Sequence, residues 1–248
     1  MKSEQDDKVY GSGTENLPTN PVTKERLRAY YDRFFENSEF GHYHEGATRR
    51  ILRSLLKKTG STERKTVLDL GCATGFYTDQ FRHLRISAVG IDISRVAISR
   101  AEEKYPGIPF LVGDAARLPF KPASFDILFM SGCSLTNTRD FPAIQLFFTS
   151  LTEYISGEGA LIFLGASDFS GDEAPTNEWI YHTYDEIKRF VDREGVRVRG
   201  PYVTHLRLLS IVGRAGLNSF ASLIFRRFPG RRRWSVVYII EKKRVFPQ

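Results

Sequence analysis

The sequence predicts an α/β fold, a doubly wound, mostly parallel sheet of seven strands with helices on both faces. Three observations lead there. Seven apolar segments of strand length run through the chain, most of them separated by helix-length stretches. The first, residues 66–70, reads as a strand buried on both faces and ends in a turn of small residues, Gly71-Cys72-Ala73-Thr74-Gly75. The second ends in an acid, Asp92.

The elements follow in order. Residues 1–21 are polar, contain Gly11, Gly13, Pro18 and Pro21, and lack an apolar signal core. They read as a flexible tail on a cytoplasmic protein. Helices are expected over 24–36 and 46–58, the second with Ile51, Leu52, Leu55 and Leu56 on one face and Gly60 after its end. Then come strand 66–70, helix 76–84, strand 87–92, helix 94–104, strands 109–112 and 125–130, helix 140–155 and strand 159–164. Pro109 begins its strand, where a missing N–H does least harm. Thr183 and Glu186 form a capping box for a helix over 184–194, stopped by Gly195. Strands follow at 196–203 and 234–241. Between them, 206–229 is too long for a hairpin turn and reads as an inserted helical segment. A single domain is expected over 22–248, with its core at 45–200 plus the last strand. Lid elements fall at 22–48, an N-terminal helical lid, and at 204–232.

Composition narrows the class. At 248 residues, with 41% hydrophobic and 13% aromatic residues, the chain can bury one good core. No apolar run approaches the ~20 residues of a membrane span. Cys72 and Cys133 are too few for a disulfide framework and read as reduced residues lining a pocket. No Cys/His spacing suggests zinc, so no metal is expected. The net charge of +7 is uneven: residues 186–248 hold 15 Lys/Arg against 4 Asp/Glu, and five arginines fall within 226–233. Such a cluster serves solubility, an anionic small molecule or nucleic acid.

The turn at 71–75 discriminates between ligands. A dinucleotide fingerprint would need Gly at 71, 73 and 76, but Ala73 and Phe76 stand at the last two. Asp69 also places a carboxylate beside the turn, awkward for a diphosphate and favourable for a cationic ligand. A nucleoside with a positively charged amino-acid tail fits, which points to S-adenosylmethionine.

Residues 67–75 resemble the first motif of class I S-adenosylmethionine-dependent methyltransferases of the small-molecule type, which carry Gly where this chain has Ala73. Alanine is the mildest departure and is expected to narrow the turn rather than abolish it. The resemblance continues through Gly90-Ile91-Asp92-Ile93-Ser94, Gly113-Asp114-Ala115, Leu118-Pro119-Phe120, Ser124-Phe125-Asp126-Ile127 and Gly159-Ala160-Leu161-Ile162-Phe163. It spans roughly residues 45–200 in the family's order. It implies a Rossmann-like sheet with a crevice at the carboxyl ends of the strands. Gly71, Cys72, Ala73 and Gly75 would offer backbone to the methionine part, and Asp69 would attract its ammonium. Asp92 would accept both ribose hydroxyls, Ile93 would pack on adenine, and Asp114, with Ala115 beside it, would accept from the adenine amino group. Ser131 and Gly132 would face the methionine and sulfonium.

A hydroxyl acceptor usually needs a base; a carbon or amine nucleophile need not have one. His182 leads the candidates because residues after the fifth strand should face the crevice; Asp168 and His205 follow. His42, His44, Tyr30, Tyr31 and Tyr43 could line the site or only pack. The expected activity is methyl transfer to a small acceptor, acidic if the arginine cluster recognises it. The alternatives are an RNA methyltransferase using the basic C-terminal region, a non-catalytic module that kept the fold, and a peripheral membrane enzyme using 206–233 as an interfacial helix. Against RNA stand the lack of a separate RNA-binding module and the sequence Met130-Ser131-Gly132-Cys133 after the fourth strand, which lacks an amine-methylating motif. The sequence leaves oligomeric state open.

Overall fold

The computed structural model describes residues 23–38, 45–60, 65–168, 180, 182, 184–191, 196–203 and 233–242. Its elements are α1 (Lys24–Asn37), α2 (Glu45–Lys58), β1 (Thr66–Leu70), α3 (Phe76–His83), β2 (Ser87–Asp92), α4 (Arg95–Lys104), β3 (Phe110–Val112), β4 (Phe125–Ser131), α5 (Phe141–Leu151), β5 (Ile155–Asp168), α6 (Tyr184–Val191), β6 (Val196–Val203) and β7 (Arg233–Lys242). The strands form one seven-stranded sheet in the order β3-β2-β1-β4-β5-β7-β6. The expected mostly parallel Rossmann-like sheet is therefore present. The last strand runs antiparallel, inserted between β5 and β6. The chain falls into two compact units, residues 1–119 and 120–248.

In the first unit β1 pairs in parallel with β2, and β2 with β3. Val67, Leu68 and Leu70 are fully buried, as a strand covered on both faces requires. Leu52, Leu55 and Leu56 of α2 are buried, and α2 contacts α3. Ser94 caps α4 instead of opening it: its hydroxyl accepts from the Ala97 N–H at 3.1 Å. Pro109 lies just outside β3, yet its carbonyl accepts from the Gly90 N–H at 3.1 Å, the one ladder role open to a proline.

In the second unit β4 pairs in parallel with β5. The helix expected over 140–155 ends at Leu151, passes through a 3-10 turn at Thr152–Tyr154 and becomes strand at Ile155. Asp140 caps α5, accepting from the Ala143 N–H at 3.0 Å. The 14-residue β5 is far longer than the expected 159–164: Phe125 of β4 pairs with its first residue, Ile155, and β7 pairs with it along 160–168. Its early part bulges: Phe125 pairs Ile155, but Ile127 pairs Ala160. Gly159 permits this, since a Cβ there would lie 2.5 Å from the Asp126 carbonyl oxygen. In the core of this unit Phe148 meets Phe163 edge to face, and Phe163 stacks on Tyr238.

Glu186 stands in the first turn of α6. Its carboxylate meets Arg139 at 2.9 Å and lies 3.6 Å from Nδ1 of His182; Thr183 lies outside the described residues. The inserted segment and lid at 204–232, the arginine cluster up to Arg232, His42, Tyr43, His44 and the tail also lie outside them.

Candidate functional site

The turn after β1 is held by β2. The N–H groups of Gly71 and Cys72 both donate to the Ile91 carbonyl, at 2.8 and 3.1 Å, and the Gly75 N–H donates back to Cys72 at 2.9 Å. Left-handed backbone occurs at alternate positions, with φ 68° at Gly71, 50° at Ala73 and 83° at Gly75. Ala73 therefore adopts the conformation a glycine would, and the turn survives the substitution. Gly71 and Ala73 are half-buried, whereas Cys72, Thr74 and Gly75 are buried. Gly75 makes room for protein: a Cβ on it would lie 2.6 Å from the Phe110 ring and 3.1 Å from Ala101. Gly71 and Ala73 are thus the turn residues with backbone near the surface.

Asp69 is buried at the end of β1. Its Oδ2 accepts from the Thr78 hydroxyl at 2.6 Å. The Thr78 backbone N–H also donates to it. It thereby caps α3, whose own N-cap, Gly75, has no side chain to do so. Burial raises its pKa to about 7, helped by the charge of Asp92 and opposed by the Thr78 bonds. The same burial, with Asp69 and Asp92 nearby, holds the Cys72 thiol well above its ordinary pKa, which suits packing and not thiolate chemistry.

Asp92 ends β2 and is oriented from two sides. Its Oδ2 accepts from the Ala73 N–H and its Oδ1 from the Ser94 N–H, both at 2.9 Å. A carboxylate has about four lone-pair sites. Each oxygen keeps acceptor capacity for a further donor such as a hydroxyl of a vicinal diol. Burial pushes this carboxyl up from its ordinary pKa, while the N–H groups of Ser94, Ala73 and Ile93 pull it back and Asp32 raises it further. This double bonding ties Asp92 into the unliganded fold as well.

Past β3, Asp114 forms a side-chain turn, its Oδ1 accepting from the Ala116 N–H at 2.9 Å. Its Oδ2 lies 3.3 Å from Lys24 Nζ. Asp114 and Ala115 are both partly exposed. Helix α1 reaches the same region: Tyr31 and Phe35 pack with Ala97, and Leu27, Ala73, Ile93 and Val96 pack against that cluster. Asp69, Gly71, Cys72, Ala73, Gly75, Asp92, Ile93, Asp114 and Ala115 thus all lie at the carboxyl ends of β1, β2 and β3 in the first unit. Sequence reading missed Thr78, Arg28 and Asp32. Thr78 had a local signal, a hydroxyl on the third residue of a helix whose N-cap is glycine. The two helix residues had none, because their partners lie more than 60 positions away.

The second unit carries the remaining candidates. Ser131 ends β4 opposite Leu164, and the Gly132 N–H donates to the Leu164 carbonyl at 3.2 Å. His182 is buried, with its ring against Phe141 and Phe190. Its Nε2 lies 2.7 Å from the Thr136 carbonyl oxygen, a contact that requires Nε2 to carry the proton. Burial lowers its pKa, opposed by the Thr136 bond and Glu186. Nearby, the Ile180 N–H donates to Asn137 Oδ1 at 2.7 Å. In this arrangement His182 braces the segment after β4 against the start of α6. A proton-accepting role would need Nδ1, beside Glu186. Asp168 closes β5 in register with Arg233. His205 lies outside the described residues.

Comparison with known proteins agrees with the fold. Residues 67–155 match a family model described as a methyltransferase domain. A demethylmenaquinone methyltransferase of Renibacterium salmoninarum is 31% identical over 86 residues, 35% of this chain and 36% of that protein. The match thus spans about a third of that relative's length. Among solved structures, geranyl diphosphate C-methyltransferase from Streptomyces coelicolor, in complex with Mg2+, geranyl diphosphate and S-adenosyl-L-homocysteine, superposes with a TM-score of 0.60 at 13% identity, covering 91% of this chain and 99% of that one. A [4+2]-cyclase superposes with a TM-score of 0.62 at 15% identity, covering 92% and 99%. Residues 67–155 are thus similar to a methyltransferase domain, and the fold is shared with these solved structures.

Proposed function

We propose that this chain transfers a methyl group from S-adenosylmethionine to a small-molecule acceptor. The observation that carries the reading is the pair of acids around the turn. Asp92 is aligned by the backbone N–H groups of Ala73 and Ser94, one on each oxygen, and both oxygens can accept further from a ribose diol. Asp69 is a buried carboxyl with a pKa of about 7, which a neighbouring cation would ionise. The residues fit the cofactor: Gly71 and Ala73 for the methionine backbone, Asp69 for its ammonium, Asp92 for the ribose, Ile93 and Ala115 beside adenine, Asp114 for its amino group. Ser131 and Gly132 serve the methionine end.

The cofactor supplies a methyl group on a positively charged sulfur, open to in-line displacement by a nucleophile. The protein's contribution is to hold the reactants in line, worth up to ~7–11 kcal/mol in favourable cases. Positive charge on the sulfur disperses in the transition state, so the protein need not bring a metal. Where the acceptor is a hydroxyl, Asp168 and His205 are the proposed bases, and His182 serves only if its Nδ1 is reached. Residues 22–248 would act as one domain, with 22–48 and 204–232 covering the acceptor. One relative is named a demethylmenaquinone methyltransferase and one superposable structure a geranyl diphosphate C-methyltransferase. Both names are in keeping with a small acceptor, and a diphosphate would suit recognition by Arg226, Arg227 and Arg231–233. No described helix is long and apolar enough to cross a membrane.

The test is transfer of a labelled methyl group from S-adenosylmethionine to a panel of prenyl diphosphates, quinone precursors, carboxylic acids and tRNA. Labelling of one small-molecule class is expected. Replacing Arg226 and Arg227 by Ser should then lower turnover and spare S-adenosylhomocysteine affinity. Labelling of RNA alone would transfer the proposal to the nucleic-acid reading.

A further inference from the structure

Helix α1 grips the turn that carries Asp92. Arg28 Nε donates to the Ile93 carbonyl at 3.1 Å. Four residues on, and so on the same helix face, Asp32 Oδ1 accepts from the Ser94 hydroxyl at 2.6 Å and from the Val96 N–H at 3.3 Å. Ser94 is the residue whose own N–H holds Asp92 Oδ1. A continuous chain of hydrogen bonds therefore runs from Asp32 through Ser94 to the Asp92 carboxylate and on to the Ala73 N–H. The ion at one end and the donor at the other oppose rotation of the carboxylate. Tyr31 and Phe35 pack the helix onto Ala97, one turn further on. None of these α1 contacts is needed to build the sheet, since β1, β2 and β3 pair without them. Their common effect is to fix the segment 92–97.

We propose that Arg28 and Asp32 are positioning residues for ribose recognition, holding the turn at 93–96 so that Asp92 meets both ribose hydroxyls. The inference rests on the S-adenosylmethionine reading and deepens it. Neither residue need touch the ligand. Both act on Asp92 through the turn.

The experiment compares binding of S-adenosylhomocysteine and its 2′-deoxyribosyl counterpart by calorimetry, with thermal unfolding of each unliganded protein. Wild type should prefer the ribose form by about tenfold or more, the loss expected for a hydrogen bond to a charged acceptor. Asp32→Ala should weaken S-adenosylhomocysteine about tenfold, leave the deoxy form nearly unchanged, and so reduce the preference to under about threefold. Asp32→Asn keeps an acceptor oxygen and should restore most of the preference. Arg28→Met should reduce it in the same direction. Arg28 is only half-buried, so this variant carries the test if Asp32→Ala does not fold. A full preference retained in folded Asp32→Ala or Arg28→Met, with both ligands weakened alike or neither, overturns the proposal and leaves α1 as packing. Failure of wild type to bind S-adenosylhomocysteine overturns the cofactor reading itself, and this inference with it; that failure shows before any variant is made.

Discussion

Ala73 stands at φ 50°, where an alanine costs roughly 1–2 kcal/mol relative to glycine. Glycine would recover that strain but would lose about 0.4–1 kcal/mol through the greater freedom of its unfolded chain. The second offsets part of the first, leaving a net of roughly 0–1.5 kcal/mol in favour of glycine. Ala73→Gly should therefore leave unfolding stability unchanged or raise it by up to about 1.5 kcal/mol, measured by urea titration. Asp92→Ala behaves differently. It should weaken S-adenosylhomocysteine by about 1.5–3 kcal/mol. It should also lower unliganded stability by about 1–3 kcal/mol, because it strands the N–H groups of Ala73 and Ser94. A variant with unchanged affinity would make Asp92 a structural residue alone.

Asp69 sets a pH dependence of definite sign. Its folded pKa of about 7 exceeds the unfolded value of about 3.9. Its contribution to stability is therefore fully present below about pH 4 and is lost as pH rises to about 7. A bound ammonium favours the ionised acid, so ligand binding releases a proton. Affinity for S-adenosylhomocysteine should rise from pH 6 to pH 8, by at most about tenfold per unit. Asp69→Asn should flatten that rise. An unchanged slope in the variant would assign the dependence to another group.

At the scale of elements, the strand-turn-helix of residues 66–83 and the acid-ended strand 87–92 were legible because their signals are local. The run Val67, Leu68, Leu70 is a burial pattern, and a Gly-rich turn declares its own backbone. The end of α5 was less legible. Apolar residues continue from Phe147 to Ile155, and only the pairing of Phe125 with Ile155 makes the last of them a strand. Likewise the extension of β5 through residues 165–168 rests on pairing with β7, which is distant in the sequence. The bulge that reconciles these registers depends on Gly159. Gly159→Ala should cost about 1–3 kcal/mol of stability, since its Cβ would meet backbone and not a movable side chain. Thermal unfolding measures this; a change below about 0.5 kcal/mol would mean that the bulge adapts. His182 was chosen from sequence as a base because of its position after β5, but only its contact with the Thr136 carbonyl reveals the bracing geometry. His182→Gln should therefore lower the unfolding temperature and leave the pH profile of turnover in place. Loss of the acid-side limb in a folded variant would restore its candidacy as a base.

At the scale of the molecule, the sheet order and the set of acids at the ends of β1, β2 and β3 are separable facts. The fold tolerates chemistry other than methyl transfer, as the superposable cyclase shows, so the fold alone does not assign an activity. The assignment rests on the acids and the turn, and these speak first about the cofactor. The direct measurement is titration calorimetry of the wild-type protein at pH 7.5 with S-adenosylhomocysteine, S-adenosylmethionine and NAD. The account predicts micromolar binding of both methionine nucleosides and no heat with NAD, because Asp69 stands beside a turn with Ala73 and Phe76 where a diphosphate would need glycine. Binding of NAD with no response to either methionine nucleoside would contradict it.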